Sequence, residues 1–593
     1  MTNMVYNRQV KGASISDRGI LNQRRLRSDL SRSELAARRL GLSLKTEEAH
    51  EPGLLLVQID GLSHEDLRKA LNDGQMPFLR KLLEREGYSL HPTHSGIPSS
   101  TPAVQGELFY GVRAAVPAYG YLDRKKGTVV SMLDSATVND VEERLKQSGD
   151  TALLDGGSAY GAIYEGGAAE ARICAANKGF GQMFTNTGPI TLLLLFLAHT
   201  MSWLRVAALL FLEFIMAFYD FFRGLYQGNE LYYELVFIPV RVTISVLFRE
   251  LAVIGGSMDL TRGLPIVFVN FLGYDEQSHH RGPGSSFAHW TLKGIDKSIE
   301  KLWKAARRSK RRGYEVWIFS DHGQEEVIPF EHWKGISARE VVTTTLGGIF
   351  ERDGHILQGL AFERPGEGTR RRDGHRPRGI AHKRAEYLGG YRWLSFLKRL
   401  PYWDQPCVDD EVVLTTYGPM GHVYLREPFD GRKQRDEAAK ALVKEGGIPL
   451  VLAGEGQDEA RAWTEDGVYI LPEQAEQVLG SNSPHTKQIA SDLARVCHHQ
   501  NAGDLVISGH RKGAKNLSFD FELGSHGGPG PTECNSFALL PEEIELEGEE
   551  GALPRPQDLY HAALSYRQNS IATPERAVCS SSHSASYLKL SSH

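Results

Sequence analysis

Three short apolar runs, each stopped by an acid, constrain this chain more than anything else in it. Residues 54–59 read Leu-Leu-Leu-Val-Gln-Ile and end at Asp60-Gly61. Residues 266–272 read Ile-Val-Phe-Val-Asn-Phe-Leu and lead to Asp275 and His279, and residues 316–319 read Val-Trp-Ile-Phe and lead to Asp321 and His322. Apolar runs of this length without polar alternation are strands buried on both faces, as in a sheet that helices cover from two sides. Amphipathic helical patterns over residues 64–87 and 287–308 supply the cover. The expected class is α/β, a central sheet flanked by helices on both faces. In such a sheet ligands bind at the carboxyl ends of the strands, so all five acidic and histidine side chains should converge on one edge.

At 593 residues the chain is too long for one core. We expect a basic N-terminal extension over 1–50, with a helix near 33–40, and a first catalytic part over 51–150. An insertion with apolar helices follows over 151–262, then a second catalytic part over 263–541 that includes a smaller insertion. Residues 542–593 are acidic, then Ser-rich, and read as a disordered tail. Lys and Arg number 68 against 73 Asp and Glu, a net charge of −5, which carries no signature of nucleic-acid binding. Five scattered cysteines without CxxC spacing suit reduced thiols better than a disulfide framework.

The insertion is different in kind. Over 190–222 it is dominated by Leu, Phe, Ala and Met. At helical spacing His199, Ser202, Arg205, Glu213, Asp220, Arg223 and Gln227 share an arc of about 120°, a narrow polar stripe on a long apolar helix. A second helix over 230–254 puts Glu234, Arg241, Ser245 and Arg249 on one face. A straight membrane crossing would bury Arg205 in hydrocarbon at about 2.5–3.5 kcal/mol. A hairpin lying in the membrane interface avoids that cost, and the basic stretches near 8–45, 307–312 and 363–384 would attract anionic lipid. The competing reading is an ordinary soluble cap. The N-terminus has no apolar h-region, so a membrane-attached chain is expected at the cytoplasmic face.

Carboxylate oxygens and imidazoles hold divalent cations, and two such clusters make a two-metal site. Far downstream, Gly524-Ser-His526-Gly-Gly528 offers a further imidazole on a Gly-rich turn. A lone Asp after a strand is usually a helix N-cap. The whole set, in this order and at strand ends, is much harder to explain structurally.

The set resembles the metal framework of the alkaline phosphatase superfamily, and most closely its type I phosphodiesterase/nucleotide pyrophosphatase branch. That branch has an Asp-x-x-x-His-x-x-Gly-Pro element, here Asp275-Glu-Gln-Ser-His279-His-Arg-Gly282-Pro283. It also has a Pro-x-x-Thr nucleophile loop with a Gly ten residues on, here Pro98-Ser-Ser-Thr101 and Gly111. The likeness covers roughly 51–130, 263–330 and 500–541. It implies an alkaline-phosphatase-like fold and two divalent metals, Zn²⁺ with Mn²⁺ as the alternative. One metal would sit on Asp275, His279 and His526. The other would sit on Asp60, Asp321, His322 and the oxygen of Thr101. Thr101 would be the nucleophile, with Ser99 and Ser100 as competitors one or two residues early, and a phosphothreonine would then be hydrolysed by water.

One departure stands out. Nucleotide pyrophosphatases place an Asn about twenty residues after the nucleophile to hold a phosphate oxygen. Here the region reads Gly120-Tyr-Leu-Asp-Arg124-Lys125-Lys126. Either a basic side chain takes the role or the phosphate is held differently, and nucleotide substrates are put in doubt. His280, His422 and His510 are read as structural or supporting. The expected activity is hydrolysis of a phosphate ester, in particular a diester, with a lipid-linked head group as substrate if the insertion binds lipid. The alternatives are a phosphoryl or head-group transferase or mutase on the same site, or a silent membrane adaptor.

Overall fold

The computed structural model describes residues 33–44, 51–177, 200–226, 238, 241–352, 411–481 and 485–572. Its main sheet has seven strands: β1 (Gly53–Ile59), β2 (Tyr88–His94), β3 (Ser158–Tyr160), β4 (Glu170–Arg172), β5 (Ile266–Phe271), β6 (Tyr314–Phe319) and β7 (Asn535–Pro541). Their spatial order is β2-β7-β6-β1-β5-β3-β4. β1 lies parallel between β5 and β6, β3 and β4 continue the parallel set, and β7 is antiparallel to both its neighbours.

Strand alternation feeds two cores. Leu54, Leu56, Ile266, Phe268, Trp317 and Phe319 face a layer holding the helices Thr101–Tyr110, Ser135–Ser148 and Pro556–Ala572. Leu55, Val57, Ile59, Val267, Val269, Val316 and Ile318 face the helices His64–Asn72, Pro77–Arg85, Arg249–Arg262 and Ser286–Ala306. Each such buried side chain contributes roughly 1.5–3 kcal/mol of transfer free energy, so register errors that turn a strand over are strongly disfavoured. The α/β sheet with helices on both faces is as expected.

Several boundaries differ from the expectation. The pattern over 64–87 is two helices, because the chain turns at Asp73-Gly74 and Pro77 starts the second. β3 and β4, and the Arg249–Arg262 helix behind them, belong to the main sheet, so the insertion is shorter than 151–262. The catalytic unit also runs past 541. The helix Pro556–Ala572 buries Leu559, Tyr560 and Ala563 against the helix Thr101–Tyr110, and only 573–593 of the expected tail lies outside the described residues. A six-stranded antiparallel sheet between Val412 and Ser508 forms a second lobe with helices on both faces, which the apolar runs did not announce. The N-terminal helix spans 33–39 and packs Ala36 and Ala37 on Met258. Residues 1–32 and the basic stretch 363–384 lie outside the described residues. Cys174, Cys497 and Cys534 are free thiols.

In the insertion, the helix Thr200–Tyr226 turns Glu213 inward, where it forms a buried ion pair with Arg241 at 2.6 Å. Arg241 also lies over the Phe287 ring, and Ser245 accepts a hydrogen bond from Gln277. The polar stripe thus faces the catalytic unit at Glu213. The side chains of Arg205, Asp220 and Arg223, and most of 227–240, lie outside the described residues. The opposite face is bare: Phe211 is 68% exposed, Tyr219 65%, and Phe214, Phe218 and Phe222 about half. No described helix is long and apolar enough to cross a membrane.

Candidate metal centre

β1, β5 and β6 are neighbours, and the register aligns Ile59 with Phe271 and Gln58 with Phe319. Asp60, Asp275 and Asp321 therefore leave the sheet side by side. Gly61 is a tight point of this edge. Its N–H donates to Asp321 Oδ1 at 3.3 Å, and a Cβ there would meet Asp275 Oδ1 at 2.8 Å. Its φ of +75° is also one that only glycine adopts readily. The helix Gly273–Arg281 carries Asp275 and His279 one turn apart on one face. His526 arrives from the turn before β7, and Thr101 opens the helix Thr101–Tyr110.

The structure brings all seven predicted residues together, each at most 5% exposed. The ligand atoms of Asp60, Asp321 and His322 lie within 4.8 Å of one another, and so do those of Asp275, His322 and His526. His279 joins through Nε2, 3.3 Å from Asp275 Oδ1. Thr101 Oγ1 is 3.4 Å from His322 Nε2. His322 thus sits between the two clusters, its ring stacked on His526 with centroids 3.7 Å apart.

The hydrogen bonds of the three histidines decide what they can do. His279 Nδ1 faces Glu522 at 2.8 Å and the Gly524 carbonyl at 3.0 Å. His322 Nδ1 faces the Gly323 carbonyl, and His526 Nδ1 faces the Ser99 carbonyl at 2.7 Å. Each partner only accepts, so each Nδ1 carries a proton and Nε2 is the nitrogen left to meet a cation. Nε2 of His279 and His526 and Oδ2 of Asp321 are buried and make no hydrogen bond. Three carboxylates buried side by side repel one another unless a cation lies between them. Burial pushes the Asp321 carboxyl up, only partly offset by His322. Burial would depress His279, but Asp275 and Glu522 outweigh it and raise it well above the usual range. Burial and the neighbouring His322 hold His526 well below it. Lone pairs fixed toward one point by acceptors behind them are the arrangement that divalent cations require.

Four supporting residues escaped the sequence reading. Glu522 backs His279, Gln324 donates to Asp275 Oδ1 at 2.6 Å, and Asn270 donates to Asp60 Oδ2 at 2.8 Å. Glu533 accepts from Ser99 Oγ and from the N–H groups of Gly528 and Gly530. Burial and then Glu325 push its carboxyl up to about 8. Ser99, a competing nucleophile by sequence, has its hydroxyl engaged by Glu533, the Gly528 carbonyl and the Gly527 N–H. Gln324 lies two residues past His322, a spacing that could have been noticed. Glu522 and Glu533 had no such signal.

The basic alternative to the missing Asn is not in the site. Arg124 donates to the Ala502 carbonyl and pairs with Asp504, Lys126 pairs with Asp140, and Lys125 is exposed. Those contacts tie the loop to the second lobe and to a neighbouring helix. His422 is structural, its ring fixed between the Pro117 carbonyl and the Gly503 N–H.

The family model described as type I phosphodiesterase / nucleotide pyrophosphatase matches residues 263–374, the segment that carries Asp275, His279, Asp321 and His322. Curated protein sequences give no match. Among solved structures, a phosphonoacetate hydrolase from Sinorhizobium meliloti 1021 with phosphonoformate is 15% identical. It covers 87% of this chain and 96% of its own, at a TM-score of 0.42. A murine ectonucleotide pyrophosphatase / phosphodiesterase 5 is 12% identical, covering 87% and 95%, also at 0.42.

Proposed function

We propose that this chain, a phosphoester hydrolase of the type I phosphodiesterase/nucleotide pyrophosphatase kind, cleaves phosphate diesters through Thr101 at a site for two divalent cations. The observation that carries the reading is the convergence of Asp60, Asp275, Asp321, His279, His322 and His526, with Nε2 of His279 and His526 unbonded, Nε2 of His322 meeting only Thr101, and all three Nδ1 protons held from behind. Zn²⁺ is the proposed metal, with Mn²⁺ the alternative for the same donors. Cations bound there would lower the pKa of the attacking hydroxyl and screen the phosphoryl oxygens.

The residues do the rest. Thr101, first in a wholly buried helix, presents Oγ1 to the centre beside His322. Its oxygen forms a bond to phosphorus, its proton passes to solvent, and the P–O bond to the leaving group breaks on the opposite side. The departing oxygen takes a proton from solvent. Water then attacks the phosphothreonine, breaks the Thr101 O–P bond and returns the hydroxyl. Ser99 keeps the nucleophile loop docked on the His526 turn, because its carbonyl holds His526 and its hydroxyl holds Glu533.

The bare apolar face of Thr200–Tyr226 supports a substrate presented at a lipid surface. A panel of chromogenic mono- and diesters, nucleotides and phospholipids, each with Zn²⁺ or Mn²⁺, tests the reading. Turnover of diesters is expected. No turnover of any ester by metal-replete protein would defeat it.

A further inference from the structure

The missing Asn leaves a question that the site itself answers. Ser100 is the N-cap of the Thr101–Tyr110 helix, with extended backbone at φ −145° and ψ 146°. An N-cap Ser ordinarily bonds the N–H of the second or third helical residue. Here the second is Pro102, which has none, and Ser100 makes no cap bond to the third, Ala103. Its hydroxyl is 1% exposed and has no hydrogen-bond partner. Among the described residues the N–H groups of Thr101 and Ala103 also find no acceptor. Three donors on one buried helix end are therefore unspent, next to the oxygen that would attack phosphorus.

We infer that Ser100 Oγ, with the Thr101 and Ala103 N–H groups, is the seat for a non-bridging phosphoryl oxygen, taking over the task of the absent Asn. This rests on the hydrolase reading above. The Ser100 hydroxyl and the Thr101 and Ala103 amides share one helix end, beside the Thr101 oxygen, with their protons unspent. The partial positive charge of a ten-residue helix adds to them. The amides of Asn270 and Gln324 already donate to Asp60 and Asp275. In the reaction Ser100 forms and breaks no covalent bond. It donates its proton in a hydrogen bond that strengthens as negative charge gathers on the equatorial oxygen, and keeps it. It is a catalytic residue in that it touches the reacting group, and it is distinct from the nucleophile.

The test compares Ser100→Ala and Ser100→Thr with the parent for three readouts: turnover of bis(p-nitrophenyl) phosphate, binding of orthovanadate and of inorganic phosphate by calorimetry, and metal content. Removing one such donor typically costs about 10²–10³ in kcat. Ser100→Ala should fall by about that factor in kcat with KM within ~3-fold. It should lose a comparable factor in orthovanadate affinity but only a few-fold for phosphate, with unchanged metal content. Ser100→Thr should recover most of the loss. Ser100→Ala within ~3-fold of the parent in kcat and orthovanadate affinity overturns the inference, as does phosphoryl label trapped on residue 100, which would make Ser100 the nucleophile. If the parent turns over no ester but still binds orthovanadate more tightly than Ser100→Ala, the hydrolase reading fails and the oxyanion seat stands. If it binds neither anion, both fail.

Discussion

Replacing Glu522 should be read directly in metal affinity. Its carboxylate accepts the His279 Nδ1 proton at 2.8 Å and the hydroxyl protons of Ser518, at 2.6 Å, and Ser525. Loss of an outer-shell partner of this kind commonly costs 10–100-fold in metal affinity, about 1.4–2.8 kcal/mol. The structure favours the lower part of that range. In Glu522→Ala the Gly524 carbonyl, at 3.0 Å, still accepts from Nδ1 and keeps Nε2 free for the metal. What is lost is a negative charge behind the ring, so the expected weakening is about 10-fold at the His279 position. Glu522→Gln should lie between the parent and Ala, because its amide oxygen can still accept from His279 while the serines turn to accept from its nitrogen. Competition with a chromogenic chelator would show one metal equivalent released early and the second near the parental value. Parental affinity for both equivalents in Glu522→Ala would refute the reasoning. So would simultaneous loss of both in Glu522→Gln with thermal unfolding unchanged, since His279 would then not belong to one metal in particular.

Three other outcomes are expected. Thr101→Ala should abolish ester turnover with metal content and melting temperature near parental; full activity, or loss only on replacing a neighbouring serine, would move the nucleophile. Asp492 is held at about 2, below its usual 3.8: burial opposes this, but His94 and Arg555 reverse it. A depressed carboxyl contributes stability that is present above the unfolded value and lost as pH falls through the folded one. About 2 kcal/mol should therefore disappear between pH ~4 and ~2. Denaturant titrations should show Asp492→Asn destabilised at pH 7 with a flatter acid limb, and an unchanged acid limb would contradict it. Replacing Phe211, Phe214, Phe218 and Phe222 together with Gln should release the protein from anionic phospholipid vesicles and leave soluble-ester turnover intact. Sedimentation of the quadruple variant with vesicles as before would make the helix an ordinary cap.

What was legible in the sequence follows from how each feature is encoded. Strands buried on both faces have few polar residues to spare, so β1, β5 and β6 announce themselves as mostly apolar runs, and the acids that follow them stand out. The second lobe is antiparallel with more mixed strands such as Glu459–Thr464, whose pattern does not separate from loop. β3 and β4 are only three residues each and are edge extensions that no local pattern specifies. The supporting residues are legible only in space: Glu522 reaches His279 across 243 positions, and Glu533 reaches Ser99 across 434. The helix near the C-terminus was hidden by the acidic stretch before it. Its Tyr560 and Leu559 gain meaning only once Gly111, against which Tyr560 packs, is in place.

The helix that opens with Thr101, the proposed nucleophile, shows why such support is needed. All ten residues of Thr101–Tyr110 are buried, yet the sequence includes Gln105 and Glu107. A helix buried all round is normally apolar throughout, because each buried polar group must find a partner or lose about 1–3 kcal/mol. Both find one. Gln105 donates to Gln58 at the end of β1 and accepts from the Ile163 N–H, while Glu107 holds Arg555, which holds Asp492. The helix is thereby pinned to β1, to the segment after β3 and to the second lobe at once. A hydroxyl that must meet phosphorus in line gains most when it cannot wander, since misplacement of an ångström can cost two orders of magnitude in rate. The polar residues that look out of place in this helix are what fix Thr101, and their partners lie in three separate stretches of the chain.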